Sequence, residues 1–150
     1  MKMKTSTTLL TLALVAALLF AGCAAPKPSA LSNDQVVAMV TDILTAMDSG
    51  DYATFTRDFS PVLKNAMPED QVKSLASLIM MTSGKFVSCD TTPQLSNSKE
   101  FAVYRLSCKF ELEPVIVTAP FKIGGTQVEG LYFDSTNLRK VTQSTPVPTP

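Results

Sequence analysis

On the two sides of Gly84 the apolar residues of this chain recur with different periods. Before it they fall three and four apart; after it they alternate. A period of 3.6 puts a stripe on one side of a helix, and a period of two puts a row on one face of a strand. The chain must therefore build helices first and a sheet second. Each has one apolar side, and the two sides have to be buried against each other. That is an α+β arrangement.

Ser32 opens the first helix, with Gln35 three residues on in a Ser-x-x-Gln capping box. Val36, Val40, Ile43, Leu44 and Met47 form its apolar face. Gly50 ends it, because glycine takes the left-handed conformation at little cost. Tyr52, Phe55 and Phe59 predict a second short helix over DYATFTRDF, residues 51–59, with Asp51 at its positive end. Pro61 interrupts it, and VLKNAM (62–67) offers one more turn. Pro68 suits the first position of a third helix, with Glu69 and Asp70 in its first turn. Val72, Leu75, Leu78, Ile79 and Met80 make the third stripe, which stops at Gly84.

KFVSCD (85–90) reads as the first strand and TTPQLSNSKE (91–100) as a polar loop. FAVYRLSCKFEL (101–112) alternates. Tyr104, Leu106, Cys108, Phe110 and Leu112 take one face; Arg105, Ser107, Lys109 and Glu111 take the other. VIVTAPFKI (115–123) is the third strand, Gly124-Gly125 a hairpin turn and TQVEGLYFD (126–134) the fourth. Three helices then precede a four-stranded antiparallel meander. Pro120 falls inside the third strand, where it removes a ladder donor. Either that strand lies at an edge or a bulge marks a bend; we favour the bend.

Upstream, Lys2 and Lys4 precede a charge-free run from Thr7 to Ala25, and LLTLALVAALLF (9–20) has one polar member. A positive start, an apolar core and a small-residue exit make a secretory signal. FAGC (20–23) resembles the lipobox of bacterial and archaeal lipoproteins, with Phe20 in place of the usual leucine. That resemblance implies that residues 1–22 are removed and that Cys23 carries lipid as the new first residue. The other reading is an uncleaved anchor, since Thr7 to Ala25 approaches the length of a spanning helix. Both readings export the rest of the chain. The expected location is the extracytoplasmic face of the cell membrane.

Residues 23–31 form the tether, in which Pro26 and Pro28 stiffen AAPKPSAL to a span of ~25 Å. The domain occupies 32–134. Residues 135–150 lose apolar periodicity, end in alternating prolines and read as a disordered tail, with a short docking segment as the alternative. Removing Lys2 and Lys4 with the signal leaves 11 Lys and Arg against 13 Asp and Glu, a net charge of −2. There is no basic excess for nucleic acid and no basic run for an anionic membrane. Lipid rather than charge is expected to hold the domain at the surface.

The order of elements carries a second resemblance. A helix, the GDY turn (50–52), a helix ending in Phe, a helix ending in Gly, then strands closing on EGLYF (129–133) resemble a domain-of-unknown-function family of bacterial and archaeal lipoproteins. That family lies within the cystatin-like and nuclear-transport-factor-like folds, and the resemblance covers roughly residues 32–133. It implies helices on a curved sheet, often around a cone-shaped pocket, and no agreed activity.

The chain has no histidine. That removes the commonest general base and the commonest metal ligand, and with them a Ser-His-Asp or Cys-His site within this chain. It also has no glycine-rich phosphate loop and no CxxC. No cofactor and no metal are expected. Glu111 and Glu113 share a strand face and are a cation candidate, or simply a solvated face. Asp51, Tyr52, Arg57 and Asp58 cluster on or near the second helix, and Asp51 and Asp58 are spaced to share one of its faces. Enzymes of the transport-factor-like fold use aspartates inside the cone. The bland reading makes Asp51 a cap and Arg57–Asp58 a surface ion pair. Met39, Met47, Met67, Met80 and Met81 read as core fillers.

Cys89 and Cys108 lie in adjacent strands, and a hairpin near Asn97 and Ser98 brings them opposite each other. Both sit on apolar faces, with Val87 and with Leu106 and Phe110. Export permits a disulfide; two buried thiols are the alternative. Tyr104, Phe110, Phe121 and Tyr132 either line a pocket on the concave side of the sheet or fill the core. These residues support a non-catalytic binding or accessory module, tethered to the membrane, for a small molecule or protein. The alternatives are a small hydrolase, lyase or isomerase with a pocket carboxylate, and a structural component of an envelope complex.

Overall fold

Helix α1, Asn33–Ser49, starts where the capping box puts it. Ser32 Oγ accepts from the Gln35 N–H, and Gln35 Oε1 accepts from the Ser32 N–H at 2.8 Å. It stops at Gly50, whose φ is +73°. The computed structural model describes residues 30–144; the signal, Cys23, most of the tether and the last six residues of the tail lie outside the described residues. Among those described, no helix is long and apolar enough to cross a membrane.

The second helix is shorter than its periodicity predicts. α2 spans only Tyr52–Phe55, capped by Asp51, which accepts from the Thr54 N–H at 3.1 Å. The chain then leaves the helix because its backbone is claimed elsewhere. The Val128 N–H donates to Asp58 O, and the Ser60 N–H donates to Val128 O, both at 2.9 Å. Asp51 and Asp58 therefore do not share a helix face. Ser60 caps α3, Pro61–Ala66, in which Pro61 occupies the first turn and so begins a helix rather than only ending one. α4, Glu69–Ser83, follows with Pro68 at its N-cap and Gly84 at its end.

The sheet has five antiparallel strands, one more than the alternation reveals: β1 Phe86–Cys89, β2 Gln94–Asn97, β3 Phe101–Phe110, β4 Pro114–Lys122 and β5 Tyr132–Asp134. Their order is β1–β3–β4–β5, with β2 beside β1 on the same edge of β3. β2 lies inside the stretch read as a polar loop. Its four residues are exposed, so no apolar row marks it, and only pairing with Ala102 to Arg105 makes it a strand.

β1 carries a bulge. Phe86 pairs with Phe110 while Ser88 pairs with Lys109, so three residues of β1 face two of β3. The extra residue turns Val87 out to solvent and puts Phe86 rather than Val87 on the inner face with Cys89. β3 and β4 pair without a slip from Phe101↔Lys122 to Lys109↔Pro114, through Val103↔Pro120. The irregularity near Pro120 falls in its other neighbour. Three steps from Thr118 to Phe121 face four from Val128 to Tyr132. The missing Pro120 N–H is directed to that interrupted side, where its carbonyl accepts from the Glu129 N–H at 2.8 Å. The predicted fourth strand is thus split, with Val128 paired to Phe59 and only Tyr132–Asp134 forming β5.

Val36, Val40, Ile43 and Leu44 of α1 are fully buried against the inner residues of β3 and β4. Leu112, expected on the inner row, lies past the end of β3 in the turn to β4 and is 66% exposed. Residues 135–144, read as the start of a disordered tail, contain instead α5, Thr136–Ser144.

Candidate functional site

Three of the four candidate pocket aromatics are core. Tyr104, Phe110 and Phe121 are at most 2% exposed. Tyr104 packs edge-on against Phe121 with ring centres 5.6 Å apart, and Phe110 does the same against Phe86. α1 covers the face of the sheet on which a pocket was expected, so these rings fill the core beneath it. Tyr132 is different. At 63% exposure it lies on the other side of the sheet, with its ring over Gly130 and beside Pro120, where a side chain at 130 would meet it at 2.9 Å.

The carboxylates of the second helix are engaged locally. Asp51 accepts from Thr54 Oγ1 at 2.6 Å and from the Thr54 N–H, and these bonds hold its carboxyl below the usual range. Asp58 accepts from Arg57 Nε and Nη2 at 3.0 and 2.7 Å. Arg57 Nη2 also donates to Asp42 at 3.0 Å. Hydrogen bonds from the guanidinium to Asp58 and then Asp42 raise the Arg57 pKa above its ordinary value. Tyr52 donates to Met67 O at 3.0 Å and ties α2 to the end of α3. Asp51 and Arg57 line a shallow polar cleft of about 330 Å³ with Asp42 and Thr45, open to solvent. Asp51 and Tyr52 also border a void of about 40 Å³ between α1, α2 and α4, room for about one water.

Glu113, read from the sequence as half of a cation candidate with Glu111 or as part of a solvated face, is instead a partly buried structural carboxylate. It leaves the solvated face read for it because β3 ends at Phe110, and the turn carries it under α4 and α5. Its Oε1 accepts from Ser135 Oγ at 2.6 Å and Ser83 Oγ at 2.9 Å, and its Oε2 from the Asn137 N–H at 3.1 Å. Asn137 Nδ2 donates to Thr82 O at 3.0 Å. Burial pushes the Glu113 pKa up. The bonds from Ser135, Asn137 and Ser83, with Lys140 nearby, outweigh it and hold the carboxyl below its ordinary value. One carboxylate thus joins the end of α4, the β3–β4 turn and the start of α5. Its neighbour Glu111 accepts from the Lys85 N–H instead, so the two do not form a shared cation site. Among the described residues no three His, Cys, Asp or Glu side chains are grouped to hold a metal.

Anchoring α5 creates a groove. Leu138 is buried against α4, and α5, α4 and β5 enclose an open, mainly apolar cleft of about 300 Å³. Leu75, Leu78, Ile79, Leu131 and Phe133 line it, with Tyr132 and the Asp134–Arg139 pair beside it. Arg139 donates from both Nε and Nη2 to the two Asp134 oxygens, which lowers the Asp134 pKa. The groove was not legible because the segment supplying one wall carries just Leu138 and Val141 as apolar signals. The clue in the sequence was Ser135, a capping residue three before Leu138.

Cys89 and Cys108 form a disulfide across directly paired positions. Their Cα atoms are 3.9 Å apart, below the short end of the usual range of about 4.4–6.8 Å. The bond joins edge strand β1 to the buried middle of the sheet. No protein-family model matches the chain, and no curated protein matches it.

Proposed function

We propose that this protein is a membrane-anchored extracytoplasmic lipoprotein whose folded domain is a small, non-catalytic binding module, with the groove along β5 as its ligand-facing surface. The groove carries the binding role. It is an open concavity with an apolar lining and few polar groups, the usual character of a ligand site. The carboxylates best placed for chemistry, Asp51, Asp58 and Glu113, are committed to a cap, an ion pair and a structural hub. The anchor rests on Lys2, Lys4, the apolar run and FAGC, with Cys23 as the lipid-bearing first residue. Helices layered on one face of an antiparallel sheet support reading the fold as cystatin-like or nuclear-transport-factor-like, in the lipoprotein family that GDY and EGLYF resemble. The partner in this reading is a small molecule or protein with an apolar contact surface; nucleic acid, cofactor and metal have no part in it.

Two measurements test it. The intact mass of protein extracted from membranes is expected to lack residues 1–22 and to include lipid on Cys23; a mass retaining them overturns the lipoprotein. A photo-reactive amino acid in place of Leu78, in the groove, is expected to capture a defined adduct on intact cells. The same group in place of Thr45, on the exposed side of α1, is expected to capture none. Equal capture at both positions overturns the groove as the binding surface. A turnover lost in Asp58→Asn with the fold intact overturns the non-catalytic reading.

A further inference from the structure

The sheet has a second face, and its charge differs from that of the helical layer. Five side chains of β3 and five of β4 point away from the core. Three of them, Arg105, Lys109 and Lys122, are cations, and none is an anion. Phe101, Val103 and Ile116 lie among them, each only partly buried. Tyr132 extends the same face from β5, opposite Thr118. Acidic groups share the face at its two side strands: Asp134 of β5, opposite Ile116 and tied to Arg139, and Asp90, whose N–H donates to Ser107 O at the end of β1; Glu129 lies 3.5 Å from Lys122 Nζ. By contrast, residues 30–84, which form the helical layer, carry seven acidic and three basic side chains.

A second observation fixes where the rest of the chain joins. The Ala30 N–H donates to Gly125 O at 3.4 Å, in the turn that follows β4. Residues 1–29 therefore connect at the end of the sheet that bears Lys122, Phe101 and the exposed Ile123.

We propose that the outward face of the sheet rests on an anionic lipid surface, the one to which the N-terminal segment ties the chain. This deepens the membrane-tethered reading and rests on it. Each Lys or Arg is attracted to anionic headgroups only within about a Debye length. Three such groups would hold a free domain weakly. A tether supplies the proximity, so they need only select which side faces down. Arg105 and Lys109 meet the phosphates beside Phe101, Val103 and Tyr132, which suit the headgroup boundary. The acidic helical layer then faces away, and the β5 groove opens at the margin of the membrane. No basic run betrays this face, because strand alternation spaces Arg105 and Lys109 four apart and Lys122 lies on another strand.

The chain has no tryptophan, so one introduced tryptophan reports its own surroundings. The membrane-extracted full chain carrying Tyr132→Trp, on the sheet face, or Thr45→Trp, on α1, is bound to vesicles containing bromolipid. One set is phosphatidylcholine alone and the other has roughly one-third phosphatidylglycerol. The expected result is flotation with both sets and loss of most Tyr132→Trp emission on the phosphatidylglycerol set alone, with Thr45→Trp unchanged. Adding Arg105→Glu, Lys109→Glu and Lys122→Glu is expected to restore the emission without releasing the protein. Flotation without quenching at position 132, or with equal quenching at both positions, overturns the face and leaves the tether standing. Flotation and quenching on the phosphatidylglycerol set alone overturn the tether and keep the face. Flotation with neither set overturns both.

Discussion

Gly50 and Gly84 both close helices at positive φ, yet substitution should not cost the same at the two. Gly50 is left-handed helical, with open space where a Cβ would go. Gly84 has φ +78° and ψ −165°, a region open essentially to glycine alone, and a Cβ there would stand 2.9 Å from the Glu111 Cβ. Gly50→Ala is expected to lower stability by about 1 kcal/mol, and Gly84→Ala by about 2–3 kcal/mol. Urea melts read both, and equal losses would contradict the geometry. Glu113 sets a pH dependence whose sign follows from its environment. Its folded pKa lies below the ordinary 4.5, so the unfolded chain takes up the proton first as pH falls. The stability it contributes is fully present above that ordinary value and is lost as pH falls through the folded one. Glu113→Gln is expected to cost about 1–3 kcal/mol near neutral pH, through hydroxyl and N–H donors left poorly paired. The cost should shrink in melts at about pH 4 and below. A cost that is constant with pH would remove the carboxylate from this role.

At the scale of elements, β1 and α5 are the two pieces held by something other than their own sequence. β1 is four residues at a sheet edge, half of them exposed. Its bulge keeps both Phe86 and Cys89 facing inward, and the disulfide closes a separation of 19 residues. On the chain-entropy account that closure is worth about 3 kcal/mol. Cys89→Ser with Cys108→Ser is therefore expected to lower the melting temperature by roughly 10 °C, read by circular dichroism without reductant. An unchanged midpoint would mean that pairing alone holds β1. The limit of the sequence is visible in the same two elements. β1 showed its apolar residues but not its bulge, so Val87 was assigned the face that Phe86 takes. α5 has too few apolar residues to declare a helix, and Glu113, Ser135 and Leu138 stabilise it through contacts with α4 and the β3–β4 turn.

At the scale of the whole molecule, one apolar cluster includes residues from α1, α2, α4, α5 and every strand from β3 to β4, with Phe86 and Phe133 packed against it. Helices and sheet have no separate cores to retain if either is lost. Unfolding is expected to be a single cooperative transition. Far-ultraviolet circular dichroism reports the helices, and tyrosine fluorescence reports Tyr52 of α2, Tyr104 of β3 and Tyr132 of β5 together. Their midpoints should coincide; two separated transitions would mean that the layers are independently stable. The polar groups obey the same economy, since no buried side-chain nitrogen or oxygen among the described residues lacks a partner.

The sequence by itself determined the α+β class, both ends of α1, the stop of α4 at Gly84, the inward row of β3 as far as Phe110 and the placing of Cys89 opposite Cys108. Each of these depends on near neighbours or on a strict period, and both can be read along the chain. Only the tertiary structure decided that β2 is a strand, that the fourth strand is split, that the concave aromatics are core and that Glu113 anchors a fifth helix. Those outcomes rest on backbone groups finding partners far away in sequence, Val128 with Asp58 and Ser60, Glu113 with Ser83 and Ser135. A polar group's need for a partner is written in the sequence, but which partner it finds is set by packing.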